Sequence, residues 1–152
     1  MTTTITGATG IDNIKAATGA VLQVIQSVNT TYLQSTSTSF VDSGLTGTIT
    51  PSSTTSKILV MISAGLGNTT QSTNNNIQIV RGSTTVYTNS RIMFSSAGHA
   101  HNMQSFQYLD SPSSTAAITY KLQLKIDAGA IRFNDSSGGT PTSTITLMEI
   151  AG

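Results

Sequence analysis

An all-β fold, an antiparallel two-sheet jelly-roll sandwich, is what this sequence predicts, and three observations predict it. Short segments alternating apolar and polar residues, separated by turn chemistry, run along most of its length. β-Branched residues are abundant, with 27 Thr, 15 Ile and 7 Val among 152 residues, and such side chains suit a pleated, half-buried surface. No stretch sets apolar residues at helical spacing behind a capping residue.

The elements follow in chain order. Residues 1–19, MTTTITGATGIDNIKAATG, show neither strand nor helix period; Gly7, Gly10 and Gly19 punctuate them and Ile5, Ile11 and Ile14 are their large apolar anchors. They read as an extended arm ahead of a jelly-roll domain over residues 20–152. Residues 20–28 (AVLQVIQSV) place Leu22 and Val24 on one face and Val21 and Ile25 on the other. Residues 39–41 and 45–50 are brief strands that end at Pro51, which has no amide hydrogen to give a ladder. Residues 57–65 (KILVMISAG) are nearly all apolar, so both faces are expected to be buried. Residues 77–81 and 84–88 flank Gly82-Ser83, a two-residue hairpin signal. Strands over 104–109, 118–126, 130–133 and 144–150 complete the set, with turns at 110–114, 127–129 and 135–141.

Composition narrows the function classes. Ser and Thr together occupy 48 positions, while charged residues are 9% and the net charge is +1. Leu, Ile, Val and Phe number 35, enough for a packed core. The seven basic residues are scattered singly, so no basic stripe exists for nucleic acid. No apolar run approaches the ~18 residues of a membrane-inserted helix. The absence of cysteine excludes a disulfide framework, cysteine-ligated zinc and a thiol nucleophile.

Apolar residues exceed what one core needs. Met61, Met93, Met103 and Met148, with Phe94, Phe106 and Tyr108, lie in strands whose opposite faces already supply a core. Lys and Glu, the usual guards of exposed sheets, number four and one. These features predict a second face buried against sister subunits, most simply around a threefold axis. Phe106 and Tyr108 are the expected axis-facing residues.

Candidate chemistry is sparse. His99 and His101 sit at i, i+2, on one side of an extended strand, a spacing that suits a metal ion if three copies meet at an axis. One chain supplies only two ligands, and an exposed loop after Ser95-Ser96 is the preferred reading of the pair. No Gly-x-Ser-x-Gly is present, and the carboxylates Asp12, Asp42, Asp110, Asp127, Asp135 and Glu149 are spread singly, mostly beside turns. Gly138-Gly139 lies between no strand and helix, so it cradles no phosphate. Loops at 68–76, 88–90 and 134–142 are rich in Asn, Gln, Ser and Thr, and Tyr87 or Phe133 would offer a sugar-stacking face beside them. No enzyme activity, catalytic residue or cofactor is predicted.

Several phrases resemble tailed-phage virion proteins, especially those of marine phages. They are Gly19-Ala20-Val21-Leu22-Gln23-Val24, Ser39-Phe40-Val41-Asp42, Ile49-Thr50-Pro51-Ser52-Ser53 leading into Lys57-Ile58-Leu59-Val60, Tyr108-Leu109-Asp110-Ser111-Pro112, Ile118-Thr119-Tyr120-Lys121 and the closing Thr144-Ile145-Thr146-Leu147-Met148-Glu149-Ile150. The similarity covers residues 19–152 in a fixed order, and the strand order is similar to trimeric jelly rolls of the tumour-necrosis-factor and complement-head type. The resemblance implies a homotrimer on the virion surface and carries no catalytic motif. Two roles fit it. One is a capsid decoration (cement) protein whose arm, through Ile5, Ile11 and Ile14, docks on the major capsid protein. The other is a short tail fibre or tail-tip adhesin, seated on tail proteins and recognising host-surface glycan. Fibre proteins usually carry such a module at the end of a long shaft. Here the domain follows nineteen residues with no heptads or collagen-like triplets, which favours decoration.

Overall fold

A computed structural model describes residues 16–69, 73–94, 100–135 and 141–152, with the side chains of residues 93 and 94 outside that description. The described residues form ten strands and no helix: β1 (Val21–Asn29), β2 (Leu33–Ser35), β3 (Val41–Ile49), β4 (Lys57–Asn68), β5 (Asn74–Arg81), β6 (Thr84–Phe94), β7 (Ala100–Asp110), β8 (Ile118–Ile126), β9 (Ile131–Phe133) and β10 (Ser143–Ile150). All pairings are antiparallel and make two sheets.

In sheet A, β10 lies between β1 and β4, β4 pairs with β7 along its length, and the short β9 and β2 continue the lines of β10 and β1. Sheet B runs β3-β8-β5-β6. When β1 with β2, and β9 with β10, are each taken as one interrupted strand, the chain has eight. Sheet A then holds the first, eighth, third and sixth, and sheet B the second, seventh, fourth and fifth. That interleaving is the jelly-roll order, so the predicted fold class is the observed one.

Period-two patterning builds the core. On β8, Tyr120, Leu122, Leu124 and Ile126 are fully buried while the residues between them reach the surface. Ile58, Val60, Ile62 and Ala64 of β4 and Ile145 and Leu147 of β10 face them from sheet A, each large side chain contributing roughly 1.5–3 kcal/mol by burial. Gly82 opens the β5–β6 hairpin at φ 57, a conformation that glycine adopts without strain, and Arg81 pairs with Thr84 across it.

Three expectations change. The two brief strands around residues 39–50 are one strand, β3, interrupted by a register shift between Asp42 and Thr46 where Gly44 takes φ 81. Residues 88–90 belong to β6 and residues 74–76 to β5, so those polar stretches are ladder, not loop. And β4 buries only one face over residues 57–63, where Met61 is 38% exposed on the other; both faces are buried from Ala64 to Asn68.

A polar clasp joins the sheets at one end. Asp110 of sheet A accepts hydrogen bonds from Arg81 Nη1 at 2.8 and 3.0 Å and from Tyr120 Oη at 2.6 Å, both on sheet B. Burial, with Asp110 beside it, pushes the Tyr120 phenol far above its ordinary pKa.

Candidate functional site

The two sheets present unlike outer surfaces. Residues directly opposite on antiparallel strands share a face, so the pairing register reads out each surface row by row. Across sheet B one row runs Asp42, Gln123, Gln78 and Thr88. Its side chains are stitched together: Gln123 Nε2 and Lys121 Nζ donate to Asp42, Gln78 Nε2 donates to Gln123 Oε1, and Thr85 Oγ1 donates to Gln78 Oε1. The Gln123 amide, with Lys121 beside it, holds the Asp42 carboxyl below its ordinary range. This is a surface built for water.

Sheet A is different. One complete row runs Val24, Met148, Leu59 and Leu109 across β1, β10, β4 and β7. The next is Gln26, Thr146, Met61 and Gln107, and the next Val28, Thr144, Ser63 and Ser105. No ionisable group stands in these three rows. Val24 is 52% exposed and Leu109 48%. A concavity of about 400 Å³ sits over the centre, with Met61, Ser63, Ser105, Gln107, Thr144 and Thr146 among its lining. Four strands at ~4.8 Å spacing and eleven residues at ~3.3 Å give the whole face roughly 700 Å². That is close to the ~800 Å² each partner contributes to a standard protein interface.

The far end of the same face is polar. Gln34, Arg132, Gly67 and His101 form one row over β2, β9, β4 and β7. Tyr32 Oη donates to Gln34 Oε1 at 2.8 Å, Arg132 Nη1 donates to Asp135 Oδ2 at 2.7 Å, and His101 Nδ1 lies 3.6 Å from the same oxygen. His101 lies so close over Gly67 that a Cβ there would sit 2.4 Å from Nδ1. Among the described residues no three His, Cys, Asp or Glu side chains converge on a point. His99 lies outside the described residues, as do Ile5, Ile11 and Ile14.

Phe106 and Tyr108, expected at a subunit axis, point the other way. Phe106 is 8% exposed within the core, and Tyr108 packs against that core with its ring 5.8 Å from Tyr87. The parity of β7 decides this, because Phe106, Tyr108 and buried Asp110 alternate with exposed Ser105, Gln107 and Leu109. Phe133 is fully buried and Tyr87 packs on the core, so neither offers a flat ring to a sugar. Residues that sequence reading passed over, Val24, Leu59 and Leu109, make the outer row. Their signal is the pairing register, which no single strand carries.

A buried carboxylate anchors the apolar end. Glu149, fully buried on β10, accepts from Ser52 N at 2.7 Å, Ser52 Oγ at 2.6 Å and Gln23 Nε2 at 2.6 Å. Burial pushes its pKa up, but these donors outweigh burial and hold it at about 2. Among the described residues no cation pairs with it, and the arrangement fixes the β3–β4 turn to sheet A.

No known family model matches the chain, and no characterised protein matches it in sequence. Solved structures resemble it in architecture. The structure of the infectious bursal disease virus Gx strain aligns over 97% of this chain and 42% of its own, with 11% identity and a TM-score of 0.49. The VP2 subviral particle of infectious bursal disease virus aligns over 97% and 42%, with 12% identity and a TM-score of 0.45. Dimeric latent PorU from Porphyromonas gingivalis aligns over 90% and 14%, with 7% identity and a TM-score of 0.41. The chain thus spans less than half the length of each. The fold assignment rests on the strand order itself.

Proposed function

We propose that this chain is a non-enzymatic structural subunit of a virus particle, a capsid decoration module that assembles as a homotrimer through the outer face of sheet A. One observation carries the assembly reading: three consecutive rows of that face hold no charge and expose Val24, Val28, Met61 and Leu109, whereas sheet B holds a hydrogen-bonded ladder of charged and amide side chains. Water solvates the second surface well and the first poorly, so the first gains most from being covered by a sister copy. The resemblance of the ordered sequence phrases to tailed-phage virion proteins supports the particle reading. The chemistry is that of contact: no nucleophile with its base and no facing carboxylate pair stands on the described surface.

A short tail-tip adhesin is the second reading. It is favoured by the polar row of Gln34, Arg132 and His101 beside half-exposed Tyr32, where donors and acceptors converge. Quantitative mass spectrometry of purified virions separates the two. The decoration reading expects hundreds of copies per particle; a few to a few dozen would place the chain on the tail and overturn it.

A further inference from the structure

β1 is the terminal strand of sheet A, and among the described residues it pairs only with β10. Its sequence, VLQVIQSVN, has no charge and no proline, the two commonest devices by which proteins keep an open edge from pairing. Both of its faces are exposed: Val24 and Val28 on the outside, and Ile25, paired with Leu147, on the inside at 36%. β1 has one register shift, between Val21 and Gln23 at its root, and runs regularly from there to Asn29, whereas the terminal strands of sheet B are guarded along their length. β3 carries Asp42 and a register shift, and β6 carries two register shifts and Arg91 at φ 59.

The chain arrives at this edge through a reversal. Ala20 N donates to Ala17 O at 2.9 Å, closing a turn with Gly19 at its third position and φ 88. Gly19 N donates to Ala151 O and Ala151 N donates to Ala20 O, so Gly19 and Ala20 together face Ala151, a glycine bulge at the root of β1. A turn of this kind sends the preceding chain back with the polarity an antiparallel neighbour needs.

Fifteen residues precede Ala16, more than the nine of β1. They are rich in Thr, hold only Asp12 and Lys15 as charged groups, and carry Ile11 and Ile14 at an odd spacing. In an extended chain that spacing puts the two isoleucines on opposite faces, matching an edge that is apolar on both. We infer that residues 1–15 dock along the open edge of β1 of their own chain, adding a strand to sheet A and covering Val24 and Ile25. Ile11 and Ile14 then serve their own fold and not a neighbouring shell subunit. This inference does not depend on the virion reading.

The chain has no cysteine, so cross-linking tests it cleanly. Val24→Cys is combined in full-length protein with one further cysteine, moved singly through residues 9–14, and oxidised. At least one position is expected to give a disulfide within a single chain on a non-reducing gel. A disulfide only between chains would assign the edge to a neighbour's segment, and no disulfide at any position would leave the edge open; either overturns the inference. Hydrogen exchange on the unmodified chain is the second readout. Backbone amides throughout β1 are expected to be protected, and about tenfold less so in the Ile11→Ser, Ile14→Ser double variant. Alternate β1 amides exchanging as fast as loop amides in the unmodified chain would also overturn it.

Discussion

Leu59 on β4 and Leu109 on β7 are directly paired on the outer face of sheet A, and Met148 and Val24 extend their row across the remaining strands. Among the described residues nothing covers Leu59, Met148 and Leu109 in this row. One residue along each strand, Val60 and Tyr108 are paired on the opposite face and packed at the core. The sheet is therefore apolar on both sides at this end, the pattern of a sheet meant to be sandwiched twice.

The two faces respond differently to truncation. Phe106→Ala is expected to cost about 3–5 kcal/mol of unfolding free energy, because it opens a cavity in the core. Leu109→Ala is expected to change the isolated subunit by about 0.5 kcal/mol or less and to act only where subunits associate. Urea denaturation across a range of protein concentrations checks both: the Phe106 effect stays constant and the Leu109 effect grows with concentration.

Removing the Asp110 carboxylate should be severe. Asp110→Ala takes from the Arg81 guanidinium and the buried Tyr120 hydroxyl the carboxylate they share, a loss of about 3–5 kcal/mol for a broken buried pair. Asp110→Asn keeps one acceptor and is expected to lose less. Thermal or urea unfolding of the two variants measures the difference.

Glu149 makes stability depend on acid. Its folded pKa, about 2, lies below the ordinary 4.5, so its contribution is complete above pH 4.5 and is lost as pH falls from about 4.5 towards 2. The shift corresponds to about 3 kcal/mol at most. Glu149→Gln is expected to be less stable than the parent at pH 7, with the gap closing over that window. Paired urea titrations between pH 7 and 2.5 test it; a gap independent of pH would remove the carboxylate from the account.

Much of this was legible in the sequence, and the gaps have physical causes. β8 announces itself, since Tyr120, Leu122, Leu124 and Ile126 alternate with polar residues. β2 does not, because three residues show no period, and only pairing with β9 makes Leu33–Ser35 a strand. β3 reads as two pieces because Ser43-Gly44 looks like a turn but forms a bulge. The excess of apolar residues over one core is visible in composition. Which of them faces outward is not: Phe106 and Leu109 are equally apolar, and their fates follow from parity and from partners forty or more residues away in sequence.

Sedimentation of the parent chain beside Leu109→Lys tests the central claim most directly. The substitution places a charge at the β7 end of a chargeless row while leaving the core untouched. The parent is expected to sediment at micromolar concentration near three times 15.8 kDa, and the variant, with unchanged circular dichroism, as a folded single chain. A parent that sediments as a monomer, or a Leu109→Lys variant that still assembles, would contradict the assignment of this face to sister subunits.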